Sequence, residues 1–265
     1  MQASVGIHRR RQTILEYIGY GEAIGLACAF VWALNGLIMR HYVAAFPPAL
    51  LNALRCGAAG LFAWLLMPLQ PPLTTFLQVT GFEWALLVTS VLLAIGVGDT
   101  LYMVALREIG VARALAVSGT FPLPTLFFEW LLLDKAFSQT FVLGCMLVVA
   151  GVALLSGREP AAPPRDVSSS AKAAHGRRRL SASLGLATAL GASVSWGLGT
   201  LMTTRAIAQL TAVQANSVRL PLVAALLFLA LRATGYSPRG RVGPRPLLIL
   251  SLSGIIGMGI GSFLF

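Results

Sequence analysis

Asp99 lies well inside an apolar run, where inserting an ionisable side chain costs of the order of 3 kcal/mol. An acid in such a place marks, by default, a site for a proton, an ion or a polar solute. Tyr102 follows one helical turn later and can share its hydrogen bonding, while Gly96 and Gly98 thin the helix just ahead. Two aromatic–polar pairs join this group. Asn35 stands one turn beyond Trp32, and Thr200 one turn beyond Trp196, each pair on one helical face. Trp usually collects at membrane interfaces. Trp32, about ten residues into its run, lies roughly 15 Å deep at 1.5 Å per residue, so it needs another reason to be there. Two such pairs meeting near the midplane make a wall suited to amphipathic solutes; ordinary bundle packing is the competing reading. Trp32, Asn35, Tyr102, Trp196 and Thr200 are therefore the candidate solute-binding residues, and Asp99 the candidate for proton coupling.

The chemistry on offer is binding and proton exchange. His8, His41 and His175 are scattered between the N-terminal tail, a span end and a polar stretch. No serine sits in a nucleophile elbow, and no phosphate-cradling glycine loop follows a strand. Cys28, Cys56 and Cys145 fall inside apolar runs without metal-ligand spacing. The sequence thus calls for no catalytic residue, cofactor or metal.

The elements that must position these residues are membrane helices. The chain is 57% hydrophobic and 11% charged, with a mean hydropathy of +0.79, whereas soluble domains carry about 25% charged residues. Eight apolar runs near 22–42, 48–68, 82–106, 111–133, 137–157, 182–206, 211–232 and 246–265 approach the roughly 20 residues that cross a bilayer. The first is too long for a signal-peptide core and reads as a retained span. The net charge of +11 comes from residues between the runs, which suits membrane anchoring better than nucleic acid. Pro47 and Pro48 open the second run, residues 107–110 make a short turn between the third and fourth, and Pro122 and Pro124 interrupt the fourth.

The chain also repeats itself. Trp32, Asn52 and Arg55 return as Trp196, Asn216 and Arg219, all 164 residues later. The ladder Gly21, Gly25, Ala29, Ala33 returns as Gly185, Ala189, Ser193, Gly197, a stripe that lets helices approach closely. Gly96 to Tyr102 resembles Gly259 to Phe265 at an offset of 163, with Ser262 standing where Asp99 stands. Four regions follow: a basic tail 1–21, a first unit 22–157, a Pro/Ser-rich basic linker 158–181 and a second unit 182–265. Five spans in the first unit is an odd number, so the second unit must be inverted in the membrane. The second unit contains three of the five expected spans, which implies a ten-span fold of which about eight are present, C-terminally truncated. Arg55 and Arg219, about seven residues into their runs, are read as snorkelling anchors.

The ordered set resembles the EamA-type transporters of the drug/metabolite transporter superfamily. The resemblance is carried by Phe30-Val31-Trp32-Ala33-Leu34-Asn35-Gly36, by Pro48 through Asn52 to Arg55, and by Pro122 to Asp134-Lys135 with Leu143-Gly144 and Gly151-Val152 following. Asp134 stands where that family usually has Glu. The resemblance implies an all-α membrane fold of inverted five-helix repeats around a central cavity, and export or exchange of small metabolites such as amino acids. The implied partners are the lipid bilayer and a small-molecule solute, with a homodimer as an open option and no nucleic acid. The implied location is the inner or plasma membrane. The resemblance places the N-terminus in the cytoplasm, although the positive-inside rule, applied to Arg177, Arg178, Arg179 and the basic residues of 232–245, favours the opposite orientation. The rival readings are a drug or nucleotide-sugar carrier, and a membrane remnant that moves no solute.

Overall fold

The computed structural model describes residues 23–156, 171–206, 209–236 and 242–261, and every regular element among them is helical. Apart from two short 3-10 helices, Met67–Leu69 and Leu73–Gln78, eight helices follow in order among the described residues. They are α1 (Ala23–Tyr42), α2 (Pro48–Leu66), α3 (Gly81–Ile109), α4 (Val111–Leu133), α5 (Gln139–Ser156), α6 (Ala171–Ala206), α7 (Ala212–Ala233) and α8 (Pro244–Ile260). Six are long and apolar enough to cross a membrane, α6 through its part Ala182–Ala206; the part Gln139–Gly151 of α5, and α8, are apolar but shorter. The chain is an all-α, multi-pass membrane protein. Its helices follow the eight apolar runs within a few residues, save that α6 already begins at Ala171. The stretch 171–181 reads as linker from its charge, yet its alanines, lysine and arginines are good helix formers.

Local chemistry sets the helix ends. Pro47 and Pro48 start α2, where a missing backbone donor leaves no helical bond unmade. Reciprocal capping boxes open α3 (Thr80 with Glu83) and α7 (Thr211 with Gln214). The turn after α3 shrinks to Gly110, whose φ of 81° is a conformation glycine adopts without steric penalty. Helix α4 breaks over residues 119–121 and resumes at Pro122, so the prolines mark an interruption. Both α3 and α8 pass through a π-helical stretch, Leu92–Asp99 and Ile255–Ile260, at the two glycine-rich segments that repeat.

Packing is reciprocal. The most extensive helix pairs are α3 with α6 and α2 with α7. Gly60 of α2 receives Pro221 of α7, where a Cβ would stand 2.7 Å from the ring, and Gly57 faces Ala224. Since Pro221 and Ala224 are the repeat equivalents of Gly57 and Gly60, the contact exchanges like for like across α2 and α7, as a two-fold rotation does. The Trp64 indole N–H donates to Ser217 O at 2.8 Å across the same pair. A buried cluster including Met39, Leu51, Met103, Ala189 and Leu250 ties α1, α2, α3, α6 and α8 together.

The two small-residue ladders fare differently. On α6, Gly185 abuts Ile109, Ala189 is fully buried, Ser193 Oγ lies 2.9 Å from Thr120 Oγ1, and Gly197 packs on the α4 break. On α1, Gly25 has open space around it, and Ala29 and Ala33 are exposed; Gly21 lies outside the described residues. The same stripe is a packing surface only where a neighbour lies against it.

Candidate functional site

A cavity of about 440 Å³ opens among the helices, within the range of small-molecule sites. All six residues singled out from the sequence line it: Trp32 and Asn35 from α1, Asp99 and Tyr102 from α3, Trp196 and Thr200 from α6. Helices α2, α4, α7 and α8 complete the wall.

The densest part centres on Trp196. Its indole N–H donates to Asp99 Oδ1 at 2.8 Å, bridging α6 to α3. Its ring lies 5.3 Å from that of Tyr102 and meets Phe121 edge-on at 6.2 Å. Such proximity requires Gly98: a Cβ there would sit 2.7 Å from the indole Cδ1 and 2.9 Å from Nε1. Gly98 and Asp99 close the α3 π stretch, which places the acid beside the indole. Asn52 of α2 supports the same stretch, its side-chain amide donating to Ile95 O at 2.6 Å and Thr100 Oγ1 at 3.3 Å. Carbonyls displaced from the ordinary i to i−4 ladder need such partners when buried.

A second tryptophan crossing joins α1 and α8. There Trp32 lies over Gly261, with Nε1 3.1 Å from where a Cβ would be, and the Cys28 thiol donates to Gly261 O at 3.6 Å. Asn35 packs against Gly257, whose position would not accept a Cβ. Trp32 is 40% exposed. Ser262, the sequence equivalent of Asp99, lies outside the described residues.

Two residues read from the sequence as anchors belong to the cavity instead. Arg55 is 6% exposed and lines the cavity from α2, and Arg219 lines it from α7, its Nη2 donating to Thr203 Oγ1 of α6 at 3.0 Å. Snorkelling demands a path to the headgroups, and α8 closes it at Arg55, whose backbone lies against Gly254 and one of whose Nη atoms is 3.5 Å from the Cβ position of Gly257. Arg55 Nε, Arg219 Nε and Asn35 Oδ1 are buried without a hydrogen-bond partner among the described residues. The sequence carried a signal for this placement, because both arginines recur at the repeat offset together with a buried asparagine, Asn52 or Asn216.

The charged side chains of Glu129, Lys135, Arg107 and Glu108 pair elsewhere: Lys135 Nζ to Glu129 Oε2 at 2.8 Å and Arg107 Nε to Glu108 Oε1 at 3.0 Å. They lie near helix ends, apart from the cavity wall.

Membrane-length helices around a cavity whose apolar lining holds a few convergent polar groups define a membrane solute carrier. The model of the EamA-like transporter family matches residues 19–157, more than half of the 265 residues, and the chain belongs to that family. The matched stretch takes in α1 to α5. No curated protein matches the chain. It is thus a multi-pass membrane transporter of the drug/metabolite transporter type.

Proposed function

We propose that the protein exports small metabolites, amino acids or related solutes, from the cytoplasm across the inner or plasma membrane by alternating access between two inverted units. The observation that carries this reading is the convergence of Trp32, Asn35, Asp99, Tyr102, Trp196 and Thr200 on one cavity. The reciprocal α2–α7 contact supports the division into units 22–157 and 182–265, because an inverted repeat pairs equivalent residues across such an axis. The π stretches of α3 and α8 supply the hinges, since a helix with displaced hydrogen bonds bends there first.

Asp99 couples transport to protons in this reading. It is the one carboxylate in the cavity wall among the described residues, and it holds Trp196 from the other unit, so a proton gained or lost there acts on the contact between units. The test is efflux from proteoliposomes driven by a pH gradient. Wild type responds to the gradient and Asp99→Asn does not; an unchanged response in the variant rules coupling out. A cytoplasmic N-terminus places the 158–181 stretch on the far side after five crossings. A reporter fused there and found active only in the cytoplasm overturns that orientation.

A further inference from the structure

We propose that the cavity takes an organic monocarboxylate, an amphipathic anion held through its carboxylate by Arg55 and Arg219, with its apolar body against the tryptophans. The inference rests on the transporter reading and narrows its substrate class to acids without an ammonium group, setting amino-acid zwitterions aside.

Among the described residues three formal charges line the cavity: Arg55 and Arg219 are positive, Asp99 is negative, and the sum is one uncompensated positive charge. Among the described residues, ion pairs join Arg107 to Glu108 and Lys135 to Glu129; none engages either cavity arginine. A guanidinium removed from water is retained only with a counter-charge and filled hydrogen-bond positions. Both arginines line the cavity, and each has a buried Nε–H that finds no acceptor among the described residues, so the protein leaves their hydrogen-bond positions incompletely filled. A single carboxylate supplies both remedies, as acceptor-only oxygens and as one negative charge.

The wall disfavours the alternatives. A cation would have to share Asp99 with the Trp196 N–H and would raise the positive excess. A neutral solute leaves the charge unmet. An ammonium-bearing solute meets the same single acid. The remaining surface favours an apolar body: Trp32, Trp196, Tyr102 and Phe121 line it with aliphatic and small side chains between them.

The experiment uses the full chain in lipid nanodiscs with four probes: 3-phenylpropanoate, its amide, 3-phenylpropylamine and sodium chloride. Binding is read by thermal shift and by titration of intrinsic tryptophan fluorescence. The expected result is binding of the carboxylate at least about tenfold tighter than the amide or the amine. Arg219→Gln weakens the carboxylate about tenfold or more and narrows its advantage over the amide, and Arg219→Lys regains part of the loss. Arg55→Gln serves as a second variant, and the wild-type panel stands by itself if either variant fails to fold. Equal binding of carboxylate and amide, preference for the amine, chloride binding that the carboxylate does not displace, or no binding by the carboxylate each overturns the proposal. Counterflow in proteoliposomes separates it from the broader reading. Movement of neutral or cationic solutes without preference for carboxylates defeats the proposal and leaves transport standing; carboxylate binding without movement of any solute does the reverse.

Discussion

At the α3–α6 crossing Trp196 lies over Gly98 and donates its indole N–H to Asp99, while at the α1–α8 crossing Trp32 lies over Gly261 and keeps 40% of its surface open. Both crossings set a tryptophan of one helix on a glycine that ends, or directly follows, a π stretch of another. Each joins a helix that precedes the 158–181 stretch to one that follows its start. The scaffold is therefore repeated, with the glycine making room and the indole filling it. What differs is the tightness of the fit and the group beside the indole. One crossing is closed, polar and braced by two further aromatic rings; at the other, Ser262 and Phe265, which stand where Asp99 and Tyr102 stand, lie outside the described residues. Two crossings of like geometry thus differ in the residue that follows the glycine, Asp99 at one and Ser262 at the other.

The sharpest way to break the comparison is to add one methyl group to each glycine. At Gly98 a Cβ would meet the indole at 2.7 Å, with Phe121 and Tyr102 against the same ring, so the indole has little room to yield. Gly98→Ala is expected to cost about 1–3 kcal/mol through overpacking and to reduce transport. At Gly261 the nearest approach is 3.1 Å, to a half-open Trp32 that can swing by a few tenths of an ångström. Alanine also gains up to about 1 kcal/mol over glycine in a helix, so Gly261→Ala should be near neutral. Thermal unfolding of both variants in detergent gives the answer. Equal losses would show that the two crossings are equally tight and remove the asymmetry.

The helices, and the six residues that meet at the cavity, were legible because their signals are local. An apolar run of membrane length is a helix wherever it packs, and an acid or a deep tryptophan within it faces other helices to avoid lipid. The arginines were not, since seven residues of depth suits a snorkelling side chain until a second helix closes the route, as α8 does beside Arg55. Nor could the sequence separate the two ladders, because Gly185 and Gly25 differ only in what stands opposite. The glycines of the repeated segments hinted at irregular helix, but the π stretches follow from tertiary partners such as Asn52 on Ile95 O.

Removing the acid sharpens the comparison at its chemical end. Asp99→Ala leaves the Trp196 N–H without its acceptor, a loss of about 1–3 kcal/mol for a buried donor. Asp99→Asn keeps an oxygen in place and should recover most of that stability while remaining defective in the response to a pH gradient. Separating stability from coupling in this way distinguishes a positioning acid from a proton carrier. If Asp99→Asn is as unstable as Asp99→Ala, the charge itself holds the crossing together and the coupling reading loses its support.

The smallest effects come from shaving the indoles. Trp196→Phe keeps an aromatic ring between Tyr102 and Phe121 but deletes the hydrogen bond to Asp99, a net contribution of about 0.5–1.5 kcal/mol for a typical pair and up to about 3 for one to a charged acceptor. Trp32→Phe removes part of a ring that is already 40% exposed, so about 0.5 kcal/mol or less is expected there. The functional order should match the structural one. If the acid communicates with the second unit through the Trp196 N–H, Trp196→Phe weakens the response to a pH gradient even though its ring still fills the site. Trp32→Phe then alters apparent affinity for solute and leaves the gradient response unchanged. Measured side by side in proteoliposomes, the two substitutions divide proton handling from solute contact. A Trp32→Phe protein that loses gradient response as fully as Trp196→Phe would mean that both crossings carry the coupling.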